Sequence, residues 1–150
     1  MNDFPYDLHA SLGFMAITAN RLMNALLHRK MKAAGLNLTG EQWGVLVLLW
    51  NRQNFIQEDL ALILSVERSS MSRVLSCMER NGLISRRVDP ADTRRKMIRP
   101  TQKANTLKER SLAVAREVLA LTCENIDPED YACCLKVLAK AKDNLRKYGK

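Results

Sequence analysis

Between Asp7 and about Lys32, the apolar residues Leu8, Leu12, Met15, Ala19, Leu22 and Leu26 fall within about 40° of one another at 100° per residue. The stretch holds no proline and predicts a long amphipathic helix with a narrow seam, ended by Gly35. Thr39 with Gln42 three positions later is a capping-box signature and opens a second helix, Gly40 to about Asn51. That helix is apolar nearly all round, which predicts burial. A short helix, Gln57 to Leu64, carries Leu60, Ile63 and Leu64 on one face, and the turn Ser65, Val66, Glu67 separates it from a helix over Arg68 to Asn81. Two helices around a tight turn have helix-turn-helix spacing.

In the Arg68 to Asn81 helix, Met71, Val74, Leu75 and Met78 form the inward stripe, while Ser69, Arg73, Ser76 and Arg80 lie opposite. Small hydroxyls and guanidiniums replace the Glu and Lys pairs of an ordinary solvated face, and both approach base edges or phosphates closely. After Gly82 the period changes to two. Ile84, Arg86 and Val88 alternate with Ser85 and Arg87, Asp89 to Thr93 is turn-rich, and Lys96 to Pro100 reads as a returning strand, so the segment is a basic hairpin. Pro100 cannot donate to a ladder and belongs at a strand end or edge. Thr101 then caps a helix to about Asn125, and Asp127 with Pro128 opens a last helix to about Lys147. The predicted order is α-α-α-α-β-β-α-α, mainly helical with one small hairpin.

At 150 residues, with 47% hydrophobic and 27% charged residues, the chain is long enough for one domain with a real core. Its longest apolar run, Val45 to Trp50, is far short of the ~20 residues a membrane span needs, so no membrane role is expected and the protein is placed in cytoplasm. Cys77, Cys123, Cys133 and Cys134 have no CxxC spacing, which suits reduced thiols better than disulfides or zinc. The net charge of +8 is concentrated: Arg68 to Lys103 holds ten basic and three acidic residues, leaving +1 for the rest. A solvated face spreads and mixes its charges, whereas a phosphate-backbone footprint gathers them. No phosphate-binding glycine loop, metal-ligand cluster or nucleophile-base pair is legible, so an enzyme is not expected, nor a cofactor or a metal.

Several motifs carry a family resemblance: Leu38-Thr39-x-x-Gln42-Trp43, Asp59-Leu60-Ala61, Ser69-x-x-Ser72-Arg73, Asn81-Gly82-Leu83-Ile84-x-Arg86, and the hairpin Asp89-x-x-Asp92-x-Arg94 followed by Thr101 and Lys103. Together, over nearly the whole chain, they resemble the MarR (multiple antibiotic resistance regulator) family of winged helix-turn-helix transcription factors. Pro100 and Ala104 stand where that family usually has Leu and Gly, which bears on how the fifth helix begins.

The resemblance implies a winged helix-turn-helix over residues 36–101 and a helical dimerisation region from residues 1–34 and 102–150. It implies a homodimer on a pseudopalindromic operator of double-stranded DNA, in a bacterial or archaeal nucleoid, acting as a repressor released by a small phenolic or anionic effector. Ser69, Ser70, Ser72 and Arg73 would then face bases and phosphates, and Arg94, held by Asp92, would enter the minor groove. Arg68, Arg86, Arg95 and Lys96 complete the expected DNA contacts, and Met15 and Trp43 border the expected effector pocket. Two alternatives stand beside this reading: a thiol-based redox regulator using Cys77, and a winged helix that binds protein and has no specific DNA target. The seam of the first helix and Leu135, Val137, Leu138 and Leu145 of the last present more apolar surface than a small wing domain covers alone, which independently suggests a dimer.

Overall fold

A computed structural model of the chain describes residues 7–52 and 54–148. A 3-10 turn, Leu8–Ala10, precedes α1 (Leu12–Ala33), α2 (Gly40–Asn51), α3 (Gln57–Leu64), α4 (Arg68–Arg80), β1 (Ile84–Val88), β2 (Lys96–Pro100), α5 (Gln102–Thr122) and α6 (Pro128–Arg146). This is the winged-helix order expected from the sequence. The chain forms two compact units, one ending at Arg116 and the other beginning at Glu117.

In the first unit the helix expected from Asp7 begins twice. Asp7 accepts from the His9 amide and closes the 3-10 turn, and Ser11 accepts from the Phe14 amide as the N-cap of α1. Two short side chains compete for the free amides of one helix start, and the second wins the α-helix. At its other end Gly35 takes φ +70°, the Leu36 amide donates to the Met31 carbonyl and the Gly35 amide to the Lys32 carbonyl. This is a Schellman cap. It turns the chain so that Leu36 is buried, and α2 starts on the expected capping box, with Thr39 and Gln42 exchanging both hydrogen bonds. Here α1 and α2 come close: a Cβ on Gly40 would collide with the side-chain amide of Asn24, and glycine leaves room for it.

The core joins Val45, Leu46 and Leu49 of α2, Leu60 and Ala61 of α3, Met71, Leu75 and Met78 of α4, Ile84 and Ile98 of the hairpin, and Ala104 of α5. On α3 the buried face is Leu60 with Ala61, while Ile63, expected inward, is exposed. Eight residues make little more than two turns, and the neighbour nearer the core displaces the one predicted by spacing. The turn into α4 has Ser65 in the left-handed region at φ +53°, with the Val66 amide bonded to the Ala61 carbonyl. α4 closes with a second Schellman cap at Gly82, φ +69°, which buries Leu83.

The hairpin is antiparallel, with Arg86 opposite Ile98 and Ile84 opposite Pro100. The amide of Thr101 donates to the Leu83 carbonyl and that of Asp89 to the Arg95 carbonyl, so the alternate residues, Ile98 and Pro100 among them, point their backbone groups outward. Pro100 therefore removes no ladder bond. Outside β2, the Ile98 amide donates to the Phe55 carbonyl in an isolated bridge. The two unusual residues after the wing leave α5 intact: Thr101 Oγ1 accepts from the Ala104 amide and donates to the Gly82 carbonyl, and Ala104 is fully buried.

In the second unit α5 stops at Thr122, three residues before the expected end, and Asn125 sits in the left-handed region at φ +59°. Asp127 caps α6 with Pro128 as its first residue, as the sequence predicts. No described residue of α6 is buried, and Leu135, Val137 and Leu145 are at least half exposed.

Candidate nucleic-acid interface

The candidate surface begins with α4, and its orientation follows from its inner face. Met71, Leu75 and Met78 are at most 1% exposed, which leaves Ser69, Arg73, Ser76 and Arg80 in solvent on the opposite side. Arg68 and Ser70 are also exposed, and Ser72 is half-buried at the edge of that face. Glu67 stands at the N-cap but makes no side-chain cap, and the first turn carries no acid. The leading amides of α4 are left as donors to an anion. Arg68, Arg73 and Arg80 have no ion pair among the described residues, so their charge is available to a partner.

The hairpin tip is built by two aspartates. Asp89 Oδ1 accepts from the Ala91 amide at 2.9 Å, and Asp92 Oδ1 from the Arg94 amide at 3.0 Å, while the Arg95 amide donates to the Asp92 carbonyl. The expected clasp between the Asp92 carboxylate and the Arg94 guanidinium is thus a backbone contact. A short acidic side chain in a turn reaches the amide two residues on more readily than the end of a long neighbouring side chain. Arg94, Arg95 and Lys96 are exposed, their charges unpaired among the described residues.

Two further wing cations, Arg86 and Arg99, are anchored. Arg86 Nη1 lies 3.2 Å from Glu79 Oε2, tying β1 to α4, and its Nη2 is buried without a partner. Arg99 donates to Asn54 Oδ1 at 3.2 Å and holds β2 to the α2–α3 loop, where Arg52 covers the Phe55 ring at 5.5 Å. A cleft of about 390 Å³ opens between the first turn of α3 and the hairpin, walled by Ile56, Gln57, Arg86, Arg94, Arg95 and Lys96. Arg86, expected as a DNA contact, also ties the hairpin to α4 through Glu79.

Sequence reasoning missed one connection. Gln42 not only caps α2; its Nε2 donates to Cys77 Sγ at 3.6 Å, and Asn81 Nδ2 donates to the same sulfur at 3.6 Å. The α2 N-terminus is thereby tied to the last turn of α4. No spacing rule links positions 35 residues apart, so only the fold reveals it. Met15 is exposed on α1, and Trp43 is half-buried on α2 with its indole N–H buried and without an acceptor. Among the described residues no group of three His, Cys, Asp or Glu is placed to hold a metal, and no helix is long and apolar enough to cross a membrane.

Comparison with known proteins agrees with this geometry. The MarR family pattern matches residues 38–96, the span from the capping box of α2 to the first residue of β2. A crystal structure of transcriptional regulator PA3341 is 30% identical, superimposes with a TM-score of 0.78, and the match covers 91% of this chain and 99% of that one. BpsR of Bordetella bronchiseptica, described with the regulation of its DNA binding by 6-hydroxynicotinic acid, is 20% identical, with a TM-score of 0.82 over 93% of this chain and 98% of that one. A mutant MarR from E. coli complexed with operator DNA is 21% identical, with a TM-score of 0.78 over 87% and 92%.

Proposed function

The chain belongs to the MarR family of transcriptional regulators, and from that premise we propose that it is a homodimeric, sequence-specific DNA-binding repressor released by a small aromatic or anionic effector. One observation carries the DNA reading: the exposed serines and unpaired arginines of α4 stand on a helix whose inner face is fully buried, beside a hairpin tip bearing Arg94, Arg95 and Lys96. In this reading the α4 residues Arg68, Ser69, Ser70, Ser72 and Arg73 enter a major groove. The wing, with Arg94, Arg95 and Lys96 on a tip shaped by Asp92, follows the flanking minor groove, and Arg86 holds the two together. The operator complex of the E. coli relative supports this reading by analogy.

Residues 36–101 would form the DNA-binding region, and 1–34 with 102–150 the dimerisation region. The apolar side chains left exposed on α1 and α6, Leu12, Met15, Leu22, Leu135, Val137 and Leu145 among them, support the second. Dimer half-sites one helical turn, about 34–36 Å, apart would share one face of DNA. The buried, unpaired indole N–H of Trp43 supports an effector site bordered by Trp43 and Met15, since a buried donor without a partner is costly and a ligand oxygen would satisfy it.

The deciding experiment is genomic footprinting of bound DNA, followed by salt-titrated binding to the recovered sites and to random duplex, with sedimentation equilibrium on the free protein. Palindromic sites bound by a species of twice 17.1 kDa are expected. A monomer, or equal affinity for all DNA at every salt concentration, would refute the proposal.

A further inference from the structure

The stretch just before the basic one carries the opposite sign. Ala33 to Glu67 holds four acidic residues, Glu41, Glu58, Asp59 and Glu67, against a single cation, Arg52, a net of −3, and Arg52 lies over the Phe55 ring. Within this stretch α3 turns two large apolar side chains outward: Leu62 is 68% exposed and Ile63 39%. The core needs neither, because Leu60 and Ala61 fill the inner face of the helix. Glu58 stands one turn before Leu62 and Asp59 one turn before Ile63, on the same outer face at helical spacing. Asp59 uses one carboxylate oxygen on the Ile56 amide. Glu58, which also borders the cleft at the wing, has no ion pair among the described residues, and neither has Glu67, exposed beyond the end of α3. The apolar surface continues onto α2. Leu64 is half-buried and comes close enough that a Cβ on Gly44 would lie 3.7 Å from its Cδ2, and Val47, one turn along α2 from Gly44, is half-buried too.

Exposed apolar side chains bracketed by carboxylates fit a partner that brings apolar anchors among cations, the pattern of a basic amphipathic helix. We propose that the outer face of α3 docks a cationic amphipathic helix of a second protein, its apolar residues on Leu62 and Ile63 and its lysines or arginines toward Glu58, Asp59 and Glu67. The net charge of +8 does not oppose this at physiological salt, where a Debye length of about 8 Å lets a partner feel chiefly the nearest charges. The same carboxylates repel phosphates, and the cations of α4 and the wing repel a basic helix, so the two surfaces sort their partners by sign. Docking on α3 does not depend on the DNA-binding reading above.

The probe is a helical peptide of leucines at every third or fourth position among lysines, long enough for about five turns, titrated into the full isotope-labelled chain without DNA. Two control peptides replace its lysines by glutamates or its leucines by serines. The lysine-leucine peptide is expected to shift the amide signals of Val47, Glu58, Leu62, Ile63 and Glu67 saturably. Binding should weaken at least about tenfold in Leu62→Ser and about threefold or more in Glu58→Lys, and neither control should move these signals. No saturable shift, equal response to either control, or shifts clustered on α1 and α6 would overturn the site. Leu62→Ser should keep the stability of the wild type and its affinity for random duplex DNA. Loss of that affinity at unchanged stability would place this face in the nucleic-acid surface and overturn the proposal. Sedimentation of the free protein covers the remaining occupant: assemblies larger than a dimer that Leu62→Ser abolishes would make a second copy of the chain the partner, and the proposal would fall.

Discussion

The recognition helix and the wing carry the same kind of charge on very different supports. Behind the exposed arginines of α4 lie Met71, Leu75 and Met78, which fix its orientation to that of the core. Behind Arg94 and Arg95 lies a tip whose shape comes from two aspartates bonding backbone amides, with exposed residues on either side. A guanidinium on a packed helix starts from a defined place and suits the reading of base edges. One on a solvated turn keeps its freedom and suits a groove that offers potential with little base pattern. The same residue type thus stands on two supports of different rigidity.

The severest way to break the comparison is to remove the support of α4. Leu75→Ala should destabilise the protein by about 2–5 kcal/mol, as truncations of fully buried leucines do, and lower operator affinity by depleting the folded protein. Denaturant unfolding with a binding assay on the surviving folded fraction checks it; a change below about 1 kcal/mol would mean that α4 is not held as described. Next comes Arg73→Ala, which should leave stability unchanged but cost on the order of 1–3 kcal/mol for each bidentate hydrogen-bond pair to a base that it removes, narrowing the gap between operator and random DNA. Parallel weakening on both DNAs would remove base reading from that residue.

Arg94→Ala should do less and do it evenly, weakening both DNAs by similar factors and lowering the salt slope by roughly one unit for each phosphate that is no longer neutralised. Because Asp92 bonds the backbone of Arg94, the tip should keep its shape in this variant, which amide chemical shifts of Ala91 to Arg95 would show. The smallest effect belongs to the turn between α3 and α4. Ser65→Gly relieves a left-handed residue and should stabilise by at most about 1 kcal/mol, the gain being reduced by the added freedom of the unfolded chain. A decrease in stability would mean that the Ser65 side chain contributes more than its backbone costs.

How far these features are legible in the sequence differs between the two regions. The α4 face is legible because a buried stripe leaves a period of 3.6, and Met71, Leu75 and Met78 obey it. Both strands fall on the expected residues because alternation and the turn-rich Asp89 to Thr93 bracket them. What the sequence conceals depends on which partner a side chain chooses. Asp92 has both the guanidinium and the amide of Arg94 within reach of its chemistry, and only geometry selects the amide. Arg86 reads as one more cation until Glu79, on another element, is found beside it. The link from Gln42 to Cys77 joins positions distant in sequence, for which a single chain offers no signal.

The bridge between Phe55 and Ile98 bears on how the protein behaves in a crowded cell. A short two-stranded sheet has two open edges, and open edges invite pairing with other chains. On the outer side of β2 the amide of Ile98 is already given to Phe55 and Pro100 has none to give, so Lys96 alone of that strand's outward residues keeps a free donor. The β1 edge carries the charged side chains of Arg86 and Arg87, and charge on an edge strand discourages pairing with another chain. A solvent-facing hairpin that must stay exposed to meet its target is thereby a poor template for edge-to-edge aggregation, and its solubility comes from the proline and the bridge as well as from its charge.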